Sequence, residues 1–290
     1  MIKTILVPAT GTGVDRTAFA AALATARQFD AHIDVLHVRL DPVETAVAMS
    51  ADSAAGSTLM TGMIERMEQD AAARAAQARK AFDAFCTREK VTVASAPGRG
   101  KPSVTAEWHV ETGEEPRWFV TYAQAADLVV APRAKGDDPS PRSLLEAVLL
   151  ESGRPVLIPS ARAVSAARAD TVAIAWKPER QCARAVAAAM PFIARAKKIV
   201  VLSVEEDETD PRDETERLVR NLAWHGVPAT GERLKAGSDG AAATLLAAAA
   251  RRAGLLVMGG YGHSRLREWV FGGFTQRALA DARLPVLIAH

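Results

Sequence analysis

The feature that most narrows what this chain can fold into is an order of elements that occurs twice. Residues 3–38 read as an apolar strand (Thr4–Pro8), a loop, an Ala-rich amphipathic helix over Asp15–Phe29 and a second strand (His32–Val38). Residues 171–204 repeat that order, with a strand Thr171–Trp176, a helix over Arg180–Arg195 and a strand Lys198–Val204. The ends of the two halves also agree. "AADLVVAPRA" followed by "ESGRPVLIPS" is answered by "RAGLLVMGGY" followed by "DARLPVLIAH". Each is a buried strand, an intervening helix, an arginine, a proline and a closing strand. A chain of 290 residues built this way reads as two tandem domains, 1–160 and 170–290, joined by the polar stretch "SARAVSAARAD".

The strands are continuous apolar runs without polar alternation, such as Ile199–Leu202 and Leu255–Met258. That pattern suits a parallel sheet covered on both faces. Five strands per unit fit; in the second half they are 171–176, 198–204, 229–234, 254–258 and 285–289. The right-handed crossover rule then gives an α/β class of two tandem, doubly wound, five-stranded Rossmann-like domains. The first unit is longer by an insertion after its second strand, where Thr61–Lys90 reads as one long helix. Met63, Met67, Arg74 and Ala78 fall at helical spacing along it. This predicts a surface helix with a narrow apolar stripe, a docking face for a protein partner being the alternative.

Bulk properties exclude more than they assign. Hydrophobic content of 49% with 24% charged residues describes an ordinary globular chain. A net charge of +2 exerts no general pull on nucleic acid or membrane surfaces. No run approaches the ~18 apolar residues of a membrane-spanning helix, and MIKTILVPAT reads as a first strand and not a signal peptide. Cys86 and Cys182 form no CxxC or metal-ligand spacing, so no metal is predicted and a reduced, cytoplasmic chain is the simplest reading.

The chemistry concentrates in "GGYGHSRLREWVFGGFT", residues 259–275, which leaves the carboxyl end of a buried strand. Ligands of doubly wound sheets sit at such ends. Gly259 lets the chain turn off the strand, and Gly262 lets backbone N–H groups approach an anion. Gly272 and Gly273 open a helix 274–282 whose first N–H groups face the same space. The spacing Gly259-x2-Gly262-x9-Gly272, followed by a "PVLI" strand, resembles the nucleotide-binding signature of the universal stress proteins, Gly-x2-Gly-x9-Gly-Ser/Thr. The resemblance covers both units. It implies an adenine-nucleotide-binding, adenine nucleotide alpha hydrolase-like fold whose domains pair through their last strands, here as an internal pseudo-dimer; a further homodimer stays open.

Carried over residue by residue, the resemblance implies ATP contacts from Gly259, Gly262, His263, Ser264, Gly272, Gly273, Phe274 and Thr275. Gly273 departs from the family's Ser/Thr; losing a hydroxyl bond to a charged phosphate costs about 1.5–3 kcal/mol, roughly ten- to a hundredfold in affinity. Lys177 stands where nucleotide-binding members carry an Asp, and reads as a solvated loop charge, with a phosphate contact as the alternative. The first unit departs further: Gly136 stands alone, and Asp137 and Asp138 lie where phosphate would sit. "ATGTGVD" has Gly11 and Gly13 but Arg16 where a dinucleotide fingerprint needs a third glycine. It reads as a turn with Asp15 capping the next helix.

Trp108, His109, Glu111 and Trp118 cluster in "EWHVETGEEPRWF". Alternation puts His109 and Glu111 on one strand face, as an acid–base pair or as part of a half-buried edge strand. Trp176 and Trp224 read as packing residues. No nucleophile elbow, Walker loop or His-Glu-x-x-His occurs, so hydrolase and kinase readings lack a motif. The reading that results is a regulatory module binding ATP weakly in the second unit alone. A nucleotide-free interaction scaffold is the second reading, acting through helix 61–90 and the domain interface. A slow ATPase is a distant third, since no general base stands near the loop.

Overall fold

A computed structural model describes residues 1–43, 45, 57–98, 103–133, 139–160, 170–205, 212–260, 275, 277–278 and 282–290. Two compact units emerge, Ile2–Pro132 and Arg133–His290, the latter with Met1.

In the unit Ile2–Pro132, strands β1 (Thr4–Pro8), β2 (His32–Arg39), β3 (Thr92–Val93), β4 (Thr105–Thr112) and β5 (Leu128–Val130) form a parallel sheet in the order β3-β4-β2-β1-β5. Ile5, Val7, Ile33, Val35, Leu36, Leu128 and Val130 have no exposed surface. This is the covered-on-both-faces condition that the unalternated apolar runs require. Helices Asp15–Phe29 and Glu115–Ala125 form at the expected crossover positions. The strand order reverses between β1 and β5, so the carboxyl ends of those strands frame a switch point.

The long helix Ser57–Glu89 occupies the crossover from β2 to β4. Beyond residue 70 it is more deeply packed than the surface helix with a narrow apolar stripe that its spacing predicts. Ala71, Ala78, Phe82, Phe85 and Cys86 are buried, while Arg74 and Met63 face solvent. Phe85 meets Phe19 of the helix Asp15–Phe29 at 5.2 Å, and Phe82 meets Trp108 of β4 at 5.3 Å. The buried stripe runs through small and aromatic residues in helical register with Met67 and Ala78, so the spacing marked the inward side but missed Ala71, Phe82, Phe85 and Cys86, which fill it. The first turns, 61–70, stay largely exposed.

In the unit Arg133–His290, the strands are β6 (Val156–Ile158), β7 (Thr171–Ala175), β8 (Lys198–Glu205), β9 (Ala229–Lys235), β10 (Leu255–Gly259) and β11 (Val286–Ala289), ordered β6-β11-β10-β7-β8-β9. All pairs are parallel except β6 with β11, which run antiparallel in the register Val286↔Ile158, Leu287↔Leu157, Ile288↔Val156. The closing strands of the two repeats therefore pair with each other, as the resemblance implies. The helix Pro139–Glu151 and β6, which end the first sequence repeat, belong spatially to this unit. Arg133 helps to anchor them: its buried guanidinium donates to the carbonyls of Pro159 (3.3 Å) and Ala278 (3.2 Å). The switch point of this unit lies between β7 and β10. Among the described residues, no helix is long and apolar enough to cross a membrane.

Candidate functional site

At the β7/β10 switch point, the first turn of the helix Arg180–Ile193 presses against the end of β10. A Cβ on Gly259 would lie 2.7 Å from the Cys182 amide nitrogen and 2.8 Å from the Gln181 carbonyl carbon. Gly259 is thus the last residue of a strand, and it is glycine because a helix backbone occupies the space of its side chain. The sharp turn inferred from sequence is not its role. Gly260 is closed from another side, where a Cβ would meet Ile288 Cγ2 at 2.8 Å and Leu149 Cδ2 at 3.0 Å.

Two groups line this strand end. Lys177 follows β7, with its ammonium 3.5 Å from Glu179 Oε1 and about half of its side chain exposed. Cys182 lies in the first helical turn, beside the backbones of Lys177 and Gly259. Burial pushes its thiol up from the ordinary value, while hydrogen bonds from those two backbones pull the other way. The helix has no side-chain cap, its N-cap being Glu179 in extended conformation. Across the site, Arg277 donates to the Asp239 carbonyl (3.1 Å) at the start of the helix Gly240–Arg252.

Gly262, His263, Ser264, Gly272, Gly273 and Phe274 lie outside the described residues, as do Gly136, Asp137 and Asp138. Of the carried-over site, Gly259 and Thr275 are described. Thr275 is buried, at 4% exposure, so its hydroxyl is poorly placed to replace the one missing at Gly273.

The corresponding strand end in the unit Ile2–Pro132 is filled by the protein itself. Asp15 is buried, and its carboxylate accepts from the Thr10 amide (2.8 Å), the Thr10 hydroxyl (2.7 Å) and the Gly11 amide (2.8 Å). It does not cap its helix; the N-cap is Val14, with no side-chain bond. The carboxylate instead reaches backward and satisfies loop amides that an external anion would otherwise use. Gly11, at φ +73°, backs onto the helix Ser57–Glu89, and a Cβ there would sit 2.5 Å from the Arg74 carbonyl oxygen.

His109 and Glu111 do share a face of β4, but each has its own partner. His109 Nε2 lies 2.9 Å from Asp34 Oδ1, and Glu111 accepts from the Tyr122 hydroxyl at 2.6 Å. Burial, with Glu111 adding to it, pushes Tyr122 up to about 12. For Asp34, burial works upward, but hydrogen bonds and charge from His32 and His109 outweigh it and hold the carboxyl below its ordinary value. Sequence reading missed His32, Asp34 and Glu107; the signal was their spacing of two along paired strands. Trp176 is half-buried and donates to the Glu214 carbonyl at 3.2 Å. Trp224 is not a packing residue: it is 91% exposed, because the helix Arg212–Trp224 buries Leu218 and Leu222 on another face.

Comparison with known proteins places these observations in a group. The model of the universal stress protein family matches residues 1–158 and 169–290. Among solved structures, a universal stress protein from Archaeoglobus fulgidus DSM 4304 aligns with a TM-score of 0.64 at 15% identity, over 99% of this chain and 95% of that one. A functionally unknown protein from Pseudomonas aeruginosa PAO1 aligns with a TM-score of 0.54, also at 15% identity, over 99% and 92%. No curated protein matches the chain.

Proposed function

The chain belongs to the universal stress protein family, and from that premise we propose that it is an adenine-nucleotide-binding regulatory module whose two domains, 1–160 and 170–290, have diverged, with only the second holding ATP. The contrast between the two strand ends carries this reading. After β1, the Thr10 and Gly11 amides are bonded to Asp15, and a fixed carboxylate there repels a polyphosphate. After β7, the corresponding loop offers the cation of Lys177, paired with Glu179 at its rim, which a triphosphate can recruit. The proposed phosphate contacts are the backbone amides of Gly262, Gly272 and Gly273, with His263 and Ser264 alongside, on the strength of the Gly-x2-Gly-x9-Gly spacing. Binding is weak in this reading, because Gly273 supplies no hydroxyl and Thr275 is buried.

Calorimetry with millimolar ATP tests the proposal, together with mass spectrometry of ligand released from denatured protein. Heat from the wild type that disappears in Gly262→Asp supports it; a wild type that gives no heat and releases no nucleotide refutes it. We assign no turnover to the module. A nucleotide-free scaffold is the second reading, favoured by the exposed turns 61–70 of the long helix. Because Phe82 and Phe85 of that helix are core residues, the reading must be tested by substitutions in 61–70 and not by deletion. Cys86 and Cys182 are both free thiols, which fits a reducing compartment, and the cytoplasm is the proposed location.

A further inference from the structure

In the unit Ile2–Pro132, two histidines and two carboxylates converge on one face of the β2/β4 pair. They come from alternate positions of adjacent parallel strands: His32 and Asp34 on β2, Glu107 and His109 on β4. His32 Nε2 lies 3.3 Å from Asp34 Oδ1 and 4.0 Å from Glu107 Oε2. His109 Nε2 lies 2.9 Å from the same Asp34 oxygen and 3.8 Å from the same Glu107 oxygen. Each imidazole thus approaches both carboxylates, and the ligand atoms of His32, Asp34 and Glu107 all lie within 4.8 Å of one another. We propose that His32, Asp34 and Glu107 form a zinc site on the first domain, with His109 bonded to Asp34 beside it.

Three observations point that way. The first is size. Around a tetrahedral zinc with bonds near 2.0–2.1 Å, neighbouring ligand atoms are about 3.3–3.4 Å apart, and the His32 nitrogen lies 3.3 Å and 4.0 Å from the two carboxylate oxygens. The second is a charge conflict. Asp34 and Glu107 are direct register partners on neighbouring strands, an arrangement of like charges that destabilises a sheet. A divalent cation between them removes the conflict, and imidazole with carboxylate is a donor set that zinc accepts. The third is the surrounding support. His32 Nδ1 is bonded to Thr105 Oγ1 at 2.7 Å, which turns Nε2 towards the cluster. The Tyr122 ring packs against His109 with centroids 5.4 Å apart.

The ligands are set on strands, so little reorganisation separates this arrangement from a bound one. Each of the four side chains is 23–29% exposed, leaving a path for the ion. The site has three protein ligands, with the fourth position left to water and Asp34 steadied by its hydrogen bond with His109. Its role is to fasten β4, the next-to-last strand of the sheet, onto β2.

The test uses the full chain with any affinity tag removed, stripped with a chelator, incubated with zinc chloride and desalted. Elemental analysis should find close to one zinc per chain, and the melting temperature should rise on zinc addition. Cobalt in place of zinc should give the intense visible bands of a tetrahedral site. Asp34→Asn combined with Glu107→Gln should abolish stoichiometric uptake while the metal-free protein keeps its circular dichroism. Thr105→Val, which removes only the support of His32, should weaken zinc binding about 10–100-fold. Folded wild type that retains no stoichiometric zinc overturns the proposal, and so does a double variant that takes up as much as the wild type. Neither result bears on the ATP reading, which concerns the other domain.

Discussion

Replacing Gly11 by alanine tests directly whether the long helix closes the first domain's strand end. Gly11 has φ +73°, a conformation that costs an L residue about 1–2 kcal/mol. Its new methyl would lie 2.5 Å from the Arg74 carbonyl oxygen. That atom belongs to a helix backbone held by Phe82 and Phe85, so it cannot swing aside as a side-chain tip can. Forcing a methyl into such a contact costs about 1–3 kcal/mol. The loss of unfolded-state entropy returns about 0.4–1 kcal/mol, leaving a net destabilisation of about 1–4.6 kcal/mol. Gly13 is the matched control in the same loop: a Cβ there meets nothing within 4 Å and its φ is not positive. Gly13→Ala should be neutral or stabilising by up to about 1 kcal/mol. Urea unfolding followed by circular dichroism measures both, and the Gly11 variant should melt several degrees lower, at about 2–4 °C per kcal/mol for a domain of this size. If both variants fall within about 0.5 kcal/mol of wild type, the usual range of inconsequential surface changes, the close approach of the helix to this loop is refuted.

Asp15→Ala leaves the Thr10 and Gly11 amides without their acceptor, each costing about 1–3 kcal/mol less whatever water restores, while the Thr10 hydroxyl keeps Thr12 Oγ1 at 2.7 Å. The emptied loop should then bind sulfate, seen as a melting temperature that rises with sulfate in the variant more than in wild type. Gly259→Ala should destabilise the second unit by about 1–3 kcal/mol, and adding Gln181→Ala should not rescue it, because backbone atoms make the clash; full rescue in denaturant melts would refute the assignment. Burial pushes the Cys86 thiol up to about 11, with Asp83 adding and Arg79 opposing. At pH 8 roughly one part in a thousand of it is thiolate, so iodoacetamide should leave Cys86 unlabelled in native protein. Since the folded thiol holds its proton more tightly than the unfolded one, its contribution to stability is whole below the ordinary value of 9.0 and is lost as pH rises towards 11. Cys86→Ala should flatten that decline.

What was legible in the sequence was whatever depends on local pattern. β1 and the helix Asp15–Phe29 fall where apolar runs and alanine periodicity put them, and the repeated ends of the halves pointed to β6 and β11. What escaped depends on contacts between distant segments. Gly11 looks like half of a dinucleotide fingerprint, but its space is set by Arg74, on an element that packs there only once folded. Asp15 sits where caps are found, yet its carboxylate turns back to the amides of Thr10 and Gly11, five and four residues upstream. His32, Asp34, Glu107 and His109 alternate correctly within each strand. Their meeting depends on a pairing register between strands some seventy residues apart, which no local pattern records. The spacing of Met67 and Ala78 in the long helix found the inward side, but which residues fill it, Phe82 against Trp108 and Phe85 against Phe19, depends on distant segments.

The antiparallel seam of β6 and β11 has a consequence for any attempt to divide the chain. A fragment starting at residue 170 would carry β11 with its outer row of N–H and C=O groups unmatched, along a strand whose side chains are all buried in the whole protein. Such an edge seeks another strand, and a second copy of the fragment offers the same one, related by a two-fold axis. In the intact chain that partner is covalently attached, at an effective concentration on the order of millimolar. Tethering turns an association that dilution could undo into a property of a single polypeptide, and it frees each copy to drift from the other in what it binds.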